Sequence, residues 1–122
     1  MENAVASEHE EQVALCVWLK AKGVPFFAVP NAGKRSYRTA SYFRAEGMKR
    51  GSPDLILGRF GVHPDWGLEN DKRPVAIEMK AEKGILSPEQ RDFHSVLRKE
   101  GWIVLVCYGY DDAREQLLGL GL

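Results

Sequence analysis

The sequence predicts a layered α/β domain with a mixed, four-stranded central sheet. Three observations carry that expectation. Runs with helical caps alternate with short apolar or alternating runs, in the order helix, strand, short helix, strand, strand, helix, strand, helix. Arg73 to Lys80 alternates with period two, setting Val75, Ile77 and Met79 against Ala76, Glu78 and Lys80. Two Ser-x-x-Glu/Gln capping boxes, at Ser7–Glu10 and Ser87–Gln90, fix where two helices begin. The 122 residues suit one domain over 1–122 with one core, and 44% hydrophobic against 28% charged residues is a soluble globular composition.

Each element has its own justification. Ser7 to Lys22 reads as a helix stopped by Gly23. Its inward stripe is Glu8, Gln12, Leu15, Cys16 and Leu19, polar in the first turns and apolar in the last. Spacing alone assigns Glu8 no function, since acids in a first turn already suit the helix dipole. Val24 to Val29 reads as a buried strand, and Pro30 to Gly33 as a turn. Thr39 to Glu46 reads as a short helix ending at Gly47. Gly51 to Gly58 reads as a turn running into a strand, with Asp54 at the strand's beginning. Arg59 to Lys72 is long for a connection and suggests a functional or mobile loop; Pro64-Asp65 within it leads into no strand. Ser87, with Pro88 at the first helical position, opens a helix that Gly101 ends. His94, one residue from Phe93, reads as an ordinary member of that helix. Trp102 to Tyr108 is a continuous apolar run, expected to be buried on both faces. Asp111 and Asp112 are expected to cap a last helix through Leu118, with Gly119 to Leu122 frayed. Sequence does not fix the strand order.

Formal net charge is zero, so overall charge points to no polyanionic partner. Its distribution is less even. Between Lys34 and Arg50 stand six basic residues, Lys34, Arg35, Arg38, Arg44, Lys49 and Arg50, against one acid, Glu46. Tyr37, Tyr42 and Phe43 lie among them, a mixture suited to phosphate contact and base stacking. The alternative is a solvated loop and helix. Cys16 and Cys107 sit in apolar runs and read as reduced core residues, and no Cys/His spacing suggests zinc. The acidic N-terminus lacks an apolar signal region and no run is long enough for a membrane span, so an intracellular location is the default.

Asp54 begins one strand and Glu78 lies on the next. If the two strands pair, the carboxylates meet at an exposed sheet edge. Two hard oxygen ligands suit Mg²⁺ or Mn²⁺, which retain waters in their other positions. Lys80, on the same face as Glu78, can orient a nucleophile or stabilise charge developing on phosphate. Pro-Asp and Glu-x-Lys are each common by chance; a half-exposed strand with a solvated Glu/Lys pair is the plainer reading. Their order, each on a strand, makes them more specific.

Gly51-Ser-Pro-Asp54 followed by Ile77-Glu-Met-Lys80 resembles the PD-(D/E)XK nuclease superfamily. Ser7 to Gln12, Val29-Pro-Asn31-Ala-Gly-Lys34-Arg35 and Leu86-Ser-Pro-Glu-Gln90 resemble its virus-type replication-repair nuclease branch (VRR-NUC), in the stand-alone phage and bacterial form. Ala32 stands where related sequences often carry Gly. The resemblance covers nearly the whole chain. It implies a restriction-endonuclease-like fold and Mg²⁺- or Mn²⁺-dependent DNA cleavage, with no organic cofactor and no membrane, in the cytoplasm of a bacterium or a phage-infected host. Asp54 and Glu78 would be metal ligands and Lys80 catalytic. Gln90 matches the family's glutamine after the Glu-x-Lys strand, beside its capping role. Glu8 matches the first-helix glutamate, with Glu11 as the alternative. DNA contact is expected at Asn31, Lys34, Arg35, Arg38, Arg44, Lys49 and Arg50.

Stand-alone members resemble junction resolvases, so branched DNA such as a Holliday junction is the favoured substrate and a symmetric homodimer the favoured assembly. A less selective flap or duplex nicking nuclease is one alternative. A non-catalytic DNA-binding module of the same fold is the other, and the intact Asp54, Glu78 and Lys80 argue against it.

Overall fold

The computed structural model describes residues 6–30 and 37–122, the side chains of residues 37, 38 and 40 excepted. Helix α1 spans Glu8–Lys22. Strand β1 is Phe26–Ala28, α2 is Tyr37–Ala45, β2 is Leu55–Leu57 and β3 is Val75–Lys80. Helix α3 is Pro88–Lys99, β4 is Ile103–Tyr108 and α4 is Tyr110–Gly119. The fold is α/β, with a mixed sheet in the order β1-β2-β3-β4. The first two pairings are antiparallel; β3 and β4 run parallel, joined through α3. No described helix is long and apolar enough to cross a membrane.

The helix starts form as their sequences require. The Ser7 hydroxyl accepts from the Glu10 N–H and donates to the Glu10 carboxylate, and Gly23 ends α1 at φ 73°. At α3 the box closes fully, with the Gln90 N–H on Ser87 Oγ and the Ser87 N–H on Gln90 Oε1.

Helices α1 and α4 cover one face of the sheet. Leu15, Leu19, Ala113 and Leu117 pack there against Leu55, Val75, Ile77, Met79 and Cys107, all fully buried. Burial pushes the Cys107 thiol up to about 12, in keeping with a core residue. Helix α3 lies on the other face, over Ala76 and Glu78. The outer rim of β4 is capped by side chains: Arg98 and Gln116 donate to the Val104 and Val106 carbonyls, and the Tyr108 N–H donates to Asp112. Such capping protects a sheet edge from pairing with another chain.

Several expectations need correction. Strand β1 is a half-exposed edge strand, with Phe27 60% exposed, because nothing pairs beyond it among the described residues. Helix α2 begins two residues before Thr39. In β4 the middle residues are only half-buried, since β4 also ends the sheet. Asp111 and Asp112 do not cap α4, whose N-cap is Gly109. The Tyr110 N–H is met instead by Glu11 of α1, at 2.6 Å. The C-terminal residues are packed: Leu120 and Leu122 are buried, the Leu120 carbonyl accepts from the Val62 N–H, and the Leu122 carbonyl from Lys22.

The 59–72 connection is also tied down. Gly61 and Arg73 form an isolated bridge, His63 stacks on Trp66 at 4.4 Å, and Arg73 lies over the same indole. It sits at the start of β3, roughly 15 Å of strand from Glu78.

Candidate active site

The site is built where β2 begins and β3 ends. Leu55 pairs with Ile77 and Ile56 with Ala76, and one further step of that register sets Asp54 opposite Glu78. Asp54 donates its backbone N–H to the Ile77 carbonyl, and its carboxylate accepts from the Met79 N–H at 2.7 Å. Its side chain thus replaces a backbone partner in the ladder and is fixed by it. The register sets the two carboxyl groups on the same face of neighbouring strands.

Glu78 is 1% exposed on an interior strand, not at a sheet edge as the sequence suggested. Helix α3 buries it. Gln90 Nε2 donates to Glu78 Oε2 at 3.2 Å, and His94 Nε2 lies 3.0 Å from Glu78 Oε1. Gln90 therefore joins the site while its Oε1 still closes the capping box. His94, read from sequence as ordinary, is fully buried and touches the central acid. The available signal is its i,i+4 spacing from Gln90, which puts both on one helix face.

Electrostatics single out the pair. Burial first, then the adjoining Glu78 carboxyl, push Asp54 up to about 7, against the lowering influence of the Met79 N–H and Lys80. Burial likewise raises Glu78, opposed by its hydrogen bond with Asp54 and by Lys80, with Glu8 adding to the rise. Burial and mutual proximity thus raise the proton affinity of the pair as a whole. Burial and then Arg98 lower His94, with Asp54 opposing.

The remaining predicted residues group around this centre. Lys80, on the Glu78 face, lines a hollow with Gln90, Arg91 and Tyr108. Lys49 and Arg50 line a second with Asp54, Ser87 and Gln90. Glu8 and Gln12 line a third with Asp54. The first two hollows share Gln90, and the second and third share Asp54. Of the two first-helix candidates, Glu8 faces the cleft and Glu11 is engaged at the start of α4. Arg44 is on α2, its guanidinium bound to Ser41, and is not among the cleft residues. Asn31, Lys34 and Arg35 lie outside the described residues, and Arg38 is placed only by its backbone on α2.

Gly51 fixes the basic loop. At φ 82° it packs so closely on the first turn of α3 that a Cβ would collide with the Glu89 backbone carbonyl. The Lys49–Asp54 segment is thereby held against the helix that carries Gln90.

The donor set fits a hard divalent cation. Two carboxylates face one another on neighbouring strands, Asp54 lining two of the hollows and Glu78 buried beneath α3, and burial raises the proton affinity of both. Among the described residues no group of three or more His, Cys, Asp or Glu side chains is placed to hold a metal ion. Mg²⁺ or Mn²⁺ needs only one or two protein carboxylates, with waters and substrate oxygens completing the set.

Comparison with known proteins agrees with this architecture. The family model of the VRR-NUC domain matches residues 6–111. A solved structure described as a "VRR_NUC domain protein" superposes with a TM-score of 0.71 at 23% identity, covering 97% of this chain and 93% of that one. No curated protein matches the sequence. With the family model matching most of its length, the chain belongs to the VRR-NUC domain family and is a nuclease-type domain.

Proposed function

We propose that this domain is a Mg²⁺- or Mn²⁺-dependent endodeoxyribonuclease that hydrolyses phosphodiesters at branched DNA. The observation that carries the reading is the facing pair Asp54 and Glu78, two acids on neighbouring strands pushed up together by burial, with Asp54 lining the hollows beside them. Such clustering of perturbed acids in a cleft marks a functional site. Asp54 and Glu78 would hold the cation, which when bound supplies Lewis-acid charge for the phosphate undergoing attack.

The chain's own groups do the rest. Lys80 brings a positive charge to the mouth of the site, where it orients the attacking water and stabilises charge developing on the phosphate oxygens. Lys49 and Arg50 hold flanking phosphates in the adjoining hollow. Glu8 contributes an acid from the α1 side of the same cleft. Paired cuts across a four-way junction need two active sites, which supports action as a C2 dimer.

The test is cleavage of a labelled four-way junction, a flap and a linear duplex, side by side, in Mg²⁺ or Mn²⁺. Faster cleavage of the junction supports the full reading. Equal cleavage of all three leaves a nuclease without branch selectivity. Binding without cleavage in any metal overturns the catalytic assignment.

A further inference from the structure

His94 has no part in the chemistry described above, yet its environment is unusual for a packing residue. The ring is fully buried. One nitrogen, Nε2, is 3.0 Å from Glu78 Oε1. The other, Nδ1, is buried with no hydrogen-bond partner among the described residues. A position selected for packing would carry Phe or Leu at no such cost, because an unpaired buried polar atom is destabilising.

The two nitrogens decide the tautomer. A neutral imidazole has one N–H and one lone pair. With the proton on Nδ1, a buried donor would go unmet and the Nε2 lone pair would face a carboxylate oxygen. With the proton on Nε2, the ring donates to Glu78 and only a lone pair is left unpartnered. The second arrangement is the cheaper one.

Gln90 completes the device from one turn earlier on α3. Its Oε1 is held by the Ser87 N–H, which fixes the amide so that Nε2 points at Glu78 Oε2. Each oxygen of Glu78 therefore accepts from a donor on α3, one buried and one nearer the cleft. Each oxygen has further lone-pair capacity. Across the pair, Asp54 is fixed by the Met79 N–H.

We propose that His94 is a positioning residue which, by donating Nε2–H to Glu78 Oε1, holds the Glu78 carboxylate in the orientation that receives the divalent cation beside Asp54. The inference rests on the metal-site reading of the preceding subsection and adds a residue that the sequence motif does not contain. Donors behind a ligating group fix its orientation, and their loss typically lowers metal affinity about 10- to 100-fold. Here the donor is an imidazole behind a carboxylate.

Calorimetric titration of Mg²⁺ and of Mn²⁺ into the protein, His94→Phe, His94→Gln and Glu78→Gln tests it. His94→Phe keeps a planar aromatic ring and removes the donor, and is expected to bind each cation about 10- to 100-fold more weakly while its circular dichroism is unchanged. His94→Gln restores a side-chain donor and is expected to recover most of the affinity. Equal affinity in His94→Phe and the unsubstituted protein overturns the proposal and leaves the metal site standing. No cation binding by the unsubstituted protein, matching Glu78→Gln, overturns the metal site and the proposal with it. Imidazole ¹⁵N NMR of the unsubstituted protein gives a reading that no folding defect can obscure. A proton on Nε2 of His94, with its resonance shifting on Mg²⁺ addition, is expected; a proton on Nδ1 contradicts the proposal.

Discussion

The two faces of β3 are both buried, and for opposite reasons. Val75, Ile77 and Met79 are fully enclosed by α1 and α4 in an apolar core where every contact is interchangeable in kind. Ala76 and Glu78 are equally enclosed by α3, but there the cover is an imidazole and an amide aimed at a carboxylate. The first face is what a strand needs in order to fold. The second keeps an acid out of water beside another acid, with their proton affinities raised rather than relieved. A buried acid pair whose proton affinity is raised is poised for a ligand that brings positive charge.

The sharpest way to separate the faces is to change one residue on each side of the strand. Ile77→Ala removes fully buried methylenes and should cost about 2–5 kcal/mol of stability in denaturant unfolding. Asp54→Asn, whose carbonyl still accepts from Met79 and whose amide can donate to Glu78, should cost none at neutral pH. Comparable losses in both would mean that the acid pair is merely core.

Lys80 divides chemistry from binding on the second face. Lys80→Ala should lower turnover by about 2.7–4 kcal/mol, roughly 100- to 1000-fold, with little change in DNA affinity. A parallel fall in affinity with an unchanged chemical step would make Lys80 a phosphate contact only.

The acid pair also predicts a pH signature that the apolar face cannot have. Asp54 is pushed up to about 7 in the folded chain from an ordinary 3.8, so between those values the folded state holds a proton that the unfolded state has lost. Stability of the metal-free protein should therefore fall as pH rises through about 4 to 7. The raised Glu78 acts in the same direction. Thermal melts across that range should show the decline in the unsubstituted protein, a smaller one in Asp54→Asn, and a smaller one again with added Mg²⁺.

The smallest effect belongs to the rim of the cleft. Lys49→Ala and Arg50→Ala should each reduce the salt slope of log affinity for duplex DNA by about 0.9, alike across base sequences. An unchanged slope would place the DNA path elsewhere.

Much of the second face was legible before the fold was known. Period-two alternation set Glu78 and Lys80 on one side of a strand, and Pro-Asp placed Asp54 at the start of its neighbour. Their meeting needed only that the strands pair, which the antiparallel register supplies. What local pattern could not convey was cover. Burial of Glu78 depends on where α3 lands after a parallel crossover, and so does its contact with His94. The engagement of Glu11 with α4 likewise spans nearly the whole chain, and no local pattern near Asp111 could reveal that the cap comes from α1. Gly51 was visible as a turn residue, but its contact with Glu89 is a tertiary fact.

The central claim is that Asp54 and Glu78 form a cation-dependent nuclease centre. The most direct test is the rate of phosphodiester cleavage of a labelled four-way junction by the unsubstituted protein and by folded Asp54→Asn, in Mg²⁺ or Mn²⁺ and in excess chelator. The account predicts cleavage by the unsubstituted protein with the cation alone, and none by Asp54→Asn in any condition. Cleavage by Asp54→Asn at the unsubstituted rate, or cleavage undiminished in chelator, would contradict it.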